Sequence, residues 1–266
     1  MLEKPSPGMK YSILFFQLTI NGIMNRTIQH LSEICQKHRF EEKLLFVPSY
    51  AVGHQVTEHL AKSGTPWINL RIKTLSGYAN ELVATDLSAA GITLIVPHER
   101  VIIIENLYHD NLAAGKKGHY FEGAAEIPGI LKCLDKTLNE MRMAGLESEG
   151  VDPEAFIIPG KGEELVWLID VYERYLRENK LIDTPVLLRT AMKKLQQENI
   201  PGNQPIVMVL SDFPLAQLEK DLMSLAGRGK LVAVDHDRPL SFDVPARLFA
   251  PENPLEKVTL FGTIAS

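Results

Sequence analysis

The residue types that bind metals or transfer protons occur in this chain, but their spacing suits neither task. His54 and His59 lie five residues apart in a helical pattern, whereas two metal ligands on one helix face lie four residues apart. Asp235-His236-Asp237 combines two carboxylates with an imidazole, but adjacent strand residues point to opposite faces, which favours a loop at a strand end. Cys35 and Cys133 have no second thiol or metal-spaced histidine nearby, which excludes a four-thiolate cluster. We therefore predict no metal site and no catalytic residue.

The elements that must carry any site alternate between strand and helix in the first third of the chain. Apolar runs predict four strands, at residues 11–18, 44–47, 67–72 and 93–96. Apolar residues at helical spacing predict helices between them, at residues 23–34, 52–60 and 75–83. Strands separated by helices of this length predict a parallel sheet with both faces covered, which is the α/β fold class.

The middle of the chain differs, because its apolar residues keep helical spacing throughout. Helices alone are predicted there, at residues 101–112, 127–144, 163–179 and 185–199. Alternation then returns, with strands at 206–210 and 230–234 around a helix at 214–225. We therefore predict an α/β domain of residues 1–96 plus 201–266, interrupted by an inserted all-α subdomain at 97–200. The strand at 206–210 is expected to join the sheet that contains residues 44–47.

Composition and charge restrict the class of protein. Hydrophobic residues make up 45% of the chain and charged residues 23%, which excludes a disordered chain or a fibre. No apolar run approaches the roughly 18 residues of a membrane helix, and the cysteine usage indicates a reducing compartment, so we expect a cytoplasmic protein without a membrane partner. The net charge is −5, and residues 97–200 carry the whole deficit with 13 basic and 18 acidic side chains. Because phosphate contacts supply much of nucleic-acid affinity, the chain alone is expected to bind nucleic acid weakly.

Five segments, in their order along the chain, resemble a known family. They read LLFVPSYAVGHQVTEHL (44–60), NLRIKTLSGYANELVATDL (69–87), ILKCLDKTLNEMRMAGL (130–146), VYERYLRENKLIDTPVLLRTA (171–191) and VMVLSDFPLAQLEKDLMSLA (207–226). Together they are similar to the N-terminal, helicase-like part of AddB/RexB-type helicase–nuclease B subunits. The resemblance implies a P-loop-NTPase-like fold of the superfamily 1 helicase 1A type with an inserted helical subdomain. It also implies a role in DNA double-strand break repair, in which the chain guides single-stranded DNA and holds a helicase or nuclease partner subunit.

The nucleotide-binding loop of such a fold is degenerate here. The P-loop pattern G-x-x-x-x-G-K-[ST] needs glycines because backbone N–H groups wrap the phosphates, and its lysine and hydroxyl hold the phosphates and magnesium. Aligned on Thr27, the segment LTINGIMNRT places Arg26 at the lysine and Asn25 at the second glycine. The β-carbon of Asn25 fills the space that the phosphates need. The degenerate loop comprises Asn21, Gly22, Asn25, Arg26 and Thr27.

The acidic motif that holds the metal in an ATPase is altered as well. Ser211 and Asp212 follow the predicted strand at 206–210, where an ATPase has Asp-Glu. Asp212 alone could bind a metal, although an aspartate near a helix N-terminus also serves as a structural cap. We predict that nucleotide binding is lost and that the chain has no cofactor. A divergent but active NTPase that uses Arg26, Thr27 and Asp212 is the alternative.

The loops after the second and third predicted strands hold the best candidate binding residues. In superfamily 1 motors, the segment that corresponds to residues 48–54 contacts single-stranded DNA through backbone amides, hydroxyls and a stacked aromatic ring. By this resemblance the candidate contacts are Ser49, Tyr50, His54, Gln55, Lys73 and Thr74. Two alternatives stay open: ordinary polar loops on a protein-binding scaffold, and a small-molecule enzyme on an unrelated doubly wound fold with its ligand at the strand ends.

Overall fold

A computed structural model of the chain describes residues 26–113, 120–121, 129–197, 205–210, 214–228 and 230–234. Residue contacts divide the chain into one compact unit, Thr27–Asp235, and a second unit formed by Met1–Arg26 and His236–Ser266. All described residues except Arg26 belong to the first unit. The predicted strand at residues 11–18 lies outside the described residues. Within the described chain, no helix is long and apolar enough to span a bilayer.

The helices predicted from residue 52 onward are all present. Helix α1 covers the described residues 26–37. The other helices are α2 (Tyr50–Lys62), α3 (Leu75–Ala90), α4 (Pro97–Ala113), α5 (Ile130–Met143), α6 (Pro159–Glu178), α7 (Thr184–Gln197) and α8 (Gln217–Gly227). Their ends differ from the predicted ends by a few residues, because capping groups rather than apolar spacing determine where a helix stops.

A parallel sheet forms the centre of the unit. The described strands are β1 (Lys43–Phe46), β2 (Leu70–Lys73), β3 (Thr93–Leu94), β4 (Leu181–Ile182), β5 (Ile206–Leu210) and β6 (Leu231–Val234). Four of them form the main sheet in the order β2-β1-β5-β6, and every pair is parallel. The predicted α/β class is therefore confirmed, and so is the predicted return of residues 206–210 to the sheet of residues 44–47.

The two remaining strands form a separate small sheet that the sequence did not predict. β3 pairs with β4 in parallel, and the N–H of Ile95 donates to the carbonyl of Ile182 at 2.8 Å. The strand predicted at 93–96 is thus present as β3, but it lies in the small sheet and not in the main sheet. The expectation of helices alone between residues 97 and 200 is wrong, because β4 lies there. A two-residue strand such as β4 escapes detection because an alternating pattern needs about four residues to be recognised.

The main sheet is covered on both faces. Alternate residues of β1 and β5 join α3, α7 and α8 in a first apolar core; they are Leu44, Phe46, Val207 and Val209. On the opposite face, α2 approaches β2 at Gly53, where a β-carbon would lie 3.0 Å from Ile72 Cγ2. Glycine at this position therefore lets α2 lie against the sheet.

A second apolar core lies among α4, α5 and α6. It contains Ile104, Tyr108, Leu138, Leu168 and Tyr172, all of which are buried. Helix α7 instead contributes Leu187, Leu188 and Ala191 to the first core. Helices α4–α6 therefore pack in the second core, whereas α7 packs in the first. The limits predicted for the inserted subdomain, residues 97–200, stay a prediction.

Buried charges connect the helices of the second core. Arg100 of α4 donates to both carboxylate oxygens of Asp135 on α5, at 2.5 and 3.0 Å. Glu164 of α6 accepts a hydrogen bond from the Tyr108 hydroxyl at 2.6 Å and from the N–H of Tyr120 at 2.7 Å. Asp135 is therefore paired with a cation, whereas the buried Glu164 is satisfied by hydrogen bonds from neutral donors.

A further ionic group, the Arg142 cluster, consists of Arg142, Tyr172, Glu173 and Asp183. Arg142 of α5 pairs through Nη1 with Asp183, and its Nε lies 3.1 Å from Glu173 of α6. The Tyr172 hydroxyl also donates to Asp183, at 3.1 Å, and the guanidinium lies over the Tyr172 ring. Burial raises the pKa of Tyr172, and the Asp183 carboxylate adds to this shift. The cluster joins α5, α6 and the start of α7 at one buried point.

Candidate nucleic-acid interface

The chain leaves two neighbouring strands of the main sheet in opposite directions. From β1 it crosses through α2 to β2, and from β5 it crosses through α8 to β6, on the other side of the sheet. Since β1 and β5 are adjacent, the main sheet has a topological switch point between them, and open α/β sheets commonly bind ligands at the carboxyl ends of such strands. The loop after β1 is described and leads into α2. Ser211 and Asp212, after β5, lie outside the described residues.

Ser49 and Tyr50 stand where the chain passes from β1 into α2. Ser49 is the N-cap of α2, with an extended backbone at φ −152°, and its Oγ accepts the N–H of Val52 at 3.3 Å. Tyr50 is the first residue of the helix, and 66% of its surface is exposed. A capping hydroxyl therefore starts the helix while an aromatic ring beside it faces solvent.

Helix α3 starts in the same way at the end of β2. Thr74 is its N-cap, and Thr74 Oγ1 accepts the N–H of Gly77 at 3.1 Å. The Tyr50 hydroxyl reaches this point from α2, since a β-carbon at position 77 would lie 2.5 Å from Tyr50 Oη. Glycine at position 77 therefore leaves the space that the Tyr50 side chain occupies, and the tyrosine connects the two helix N-termini.

These two N-termini make the sheet edge attractive to anions. The first backbone N–H groups of a helix have no partner within the helix, and the helix dipole places partial positive charge there. The first turns of α2 and α3 are both described, and neither contains an acidic residue. A phosphate group at this edge would accept backbone hydrogen bonds without meeting a carboxylate in either first turn.

Lys73 is part of an ion-pair network rather than an isolated cation. Its Nζ lies 2.8 Å from Glu81 of α3, and Arg71 pairs with both Glu81 and Glu42. The hydrogen bond from Lys73 lowers the pKa of Glu81 against the opposing effect of partial burial, and Arg71 lowers it further. A phosphate that approaches Lys73 must therefore compete with the Glu81 carboxylate.

His54 and Gln55 are exposed on α2. His54 follows Tyr50 by four residues, so it lies one turn further along the same helix face and extends the surface that begins with the tyrosine ring. No group of three possible metal ligands occurs among the described residues, which include His54 and His59.

The residues of the predicted degenerate P-loop are mostly outside the described chain. Asn21, Gly22 and Asn25 precede the described residues, which begin at Arg26. Thr27 is buried within α1, with 4% of its surface exposed. The degenerate P-loop and the altered acidic motif at Ser211 and Asp212 stay predictions.

Sequence reasoning missed the Arg142 cluster and the contact between Tyr50 and Gly77. A signal for the first existed, because Leu134, Leu138 and Arg142 recur at four-residue spacing on the buried side of α5. An arginine at the next apolar position of such a series predicts a buried ion pair. The contact at Gly77 had no such signal, because it depends on how two helices lie at the sheet edge.

No protein-family model matches the chain, and no curated protein is significantly similar to it.

Proposed function

We propose that this chain is a non-catalytic, helicase-like domain that guides single-stranded DNA across the carboxyl edge of its main sheet. The observation that carries the proposal is the exposed Tyr50 ring held between two helix N-termini whose first turns lack carboxylates. An aromatic face beside backbone amides fits a base next to its phosphate. This pairing of groups needs no particular base, so the contact is expected to tolerate any sequence.

In this proposal each candidate residue either contacts the DNA or holds a helix start in place. The Tyr50 ring stacks on a base, and the amides at the starts of α2 and α3 receive the phosphates that flank it. Ser49 and Thr74 hold the helix starts by capping rather than by direct contact. Lys73 exchanges Glu81 for a phosphate, and His54 and Gln55 extend the surface along α2. Because Lys73 is ion-paired beforehand and the chain carries a net charge of −5, binding in isolation is weak.

The finer identity of the domain follows from the sequence resemblance. We propose a helicase 1A-type fold without nucleotide hydrolysis, belonging to an AddB-like subunit of a double-strand break repair complex in the cytoplasm. The parallel sheet and the helical segment between β2 and β5 are compatible with this assignment. The partner in such a complex would be a helicase or nuclease subunit that supplies the catalysis.

The experiment is a fluorescence anisotropy titration of a labelled oligo-dT with matched aromatic variants. Tyr50→Ala is expected to weaken binding by about 1–3 kcal/mol, the usual loss when a stacked aromatic is removed. Phe40→Ala is the control, because Phe40 is also an exposed ring, 75% accessible, but precedes β1 and so lies at the amino end of the sheet. Its removal should leave the affinity unchanged. Equal effects of the two variants, or no binding at low salt, would refute the proposed interface.

A further inference from the structure

A cavity of about 450 Å³ opens beside the Arg142 cluster, away from the sheet edge. It is bordered by α5, α6, the start of α7 and the small β3–β4 sheet. Its apolar wall is formed by Ile92, Leu176, Leu181, Ile182 and Val186. This volume lies within the range of about 300–1,000 Å³ that is typical of small-molecule sites.

The inner wall includes a guanidinium with an unused donor. Arg142 lines the cavity, and 1% of its side chain is exposed. Its Nε and Nη1 bond to Glu173 and Asp183, while Nη2 has no hydrogen-bond partner among the described residues. A buried guanidinium N–H without an acceptor is costly, so the position favours a ligand that brings an oxygen acceptor.

The rim adds two cations that are not ion-paired within the described chain. Arg177 and Lys180, at the end of α6, both line the cavity and are exposed. Lys180 also has a left-handed backbone, with φ 52°, immediately after the helix, at a position where glycine is usual. A lysine there bears a backbone cost that glycine avoids, while its ammonium is placed at the cavity mouth.

Three of the four acidic residues that line the cavity are paired with arginines. Glu147 pairs with Arg189 at 2.6 Å, Glu173 with Arg142, and Asp170 with Arg174. Glu149 is exposed and has no ion-pair partner in the described part of the chain. The cavity lining carries four cationic and four anionic side chains, so its formal charge is zero, but Arg177 and Lys180 stay available to an anion because neither is ion-paired within the described chain.

We propose that this cavity binds a small molecule with an apolar body and one anionic group, a carboxylate or a phosphate. The body lies against the apolar wall, and the anionic oxygens meet Arg177 and Lys180 at the rim; a shift of the Arg142 side chain would bring its unsatisfied Nη2 to the same anionic group. The site is separate from the sheet edge and does not depend on DNA binding.

The test is isothermal titration calorimetry with 4-phenylbutyrate, 4-phenyl-1-butanol and inorganic phosphate. The carboxylate is expected to bind at least about tenfold more tightly than the alcohol, because only it makes charge-assisted hydrogen bonds. Inorganic phosphate, which lacks the apolar body, should bind more weakly than 4-phenylbutyrate. Equal affinity for the carboxylate and the alcohol, tighter binding of inorganic phosphate, or no binding of 4-phenylbutyrate up to about 10 mM would overturn the proposal.

Two variants separate ligand binding from folding. Lys180→Gly removes the ammonium and relieves the left-handed backbone, so the melting temperature without ligand should stay unchanged or rise, while affinity for 4-phenylbutyrate falls about three- to tenfold. Arg228→Gly is the matched control, because Arg228 is another exposed cation with a left-handed backbone at a helix end, outside this cavity. If Lys180→Gly binds like the wild-type protein, or if both variants lose affinity equally, the rim does not recognise an anion.

Discussion

Replacing Asp183 by alanine is expected to lower the free energy of unfolding by about 3–5 kcal/mol, the usual cost of removing one partner of a buried ion pair. Asp183 is 2% exposed and accepts hydrogen bonds from Arg142 and from the Tyr172 hydroxyl. Its removal leaves the Arg142 guanidinium, itself 1% exposed, with Glu173 alone. The penalty arises because Nη1 of Arg142 and the hydroxyl of Tyr172 stay buried without this acceptor.

The matched control is Asp170→Ala on α6. Asp170 also pairs with an arginine, Arg174, but the two side chains are 42% and 55% exposed. Exposed pairs of this kind contribute about 0.2–1 kcal/mol, because water and salt screen them. The same chemical change should therefore give a several-fold smaller loss at position 170 than at position 183.

Urea unfolding monitored by circular dichroism measures both losses. With a urea m-value of about 1–3 kcal/mol/M, a loss of 3 kcal/mol moves the midpoint by at least about 1 M. Arg142→Met should cost less stability in the Asp183→Ala protein than in the wild-type protein, because the interaction with Asp183 is already lost there. The reasoning is refuted if Asp183→Ala and Asp170→Ala shift the midpoint equally, or if Arg142→Met lowers the stability of the Asp183→Ala protein and of the wild-type protein by the same amount.

Three further predictions concern the sheet edge, pH and nucleotide. Gly77→Ala should weaken oligo-dT binding in the wild-type protein but not in the Tyr50→Ala background, because the new β-carbon displaces the tyrosine; additive losses in anisotropy would contradict this. Burial raises the pKa of Tyr78 and Tyr172, so the stability that each protonated phenol contributes is present below pH about 10 and is lost as the pH rises further. Tyr172→Phe should therefore flatten the alkaline decline in urea melts by about 1.4 kcal/mol per pH unit, and an unchanged slope would disprove the linkage. ATP–magnesium should not raise the melting temperature, and a stabilisation of about 2–3 kcal/mol at a hundredfold excess over the dissociation constant would show a functional nucleotide site.

The sequence by itself determined the fold class, the helices and the return of β5 to the main sheet. These features depend on local apolar spacing, and continuous apolar runs such as residues 44–47 and 206–210 indicate strands covered on both faces. The sequence also placed Ser49 and Thr74 in loops after strands, because each follows an apolar run, whereas their capping of α2 and α3 was seen only in the structure.

Only the tertiary structure decided how distant residues meet. The pairing of β3 with β4, the contact of Tyr50 with Gly77 and the bond between Arg142 and Asp183 each join segments that local patterns treat separately. The sequence predicted Lys73 as a contact for single-stranded DNA. In the structure Lys73 is already ion-paired with Glu81. Apolar periodicity specifies which face of an element is buried, but the partner of a buried charge depends on how those faces pack in three dimensions.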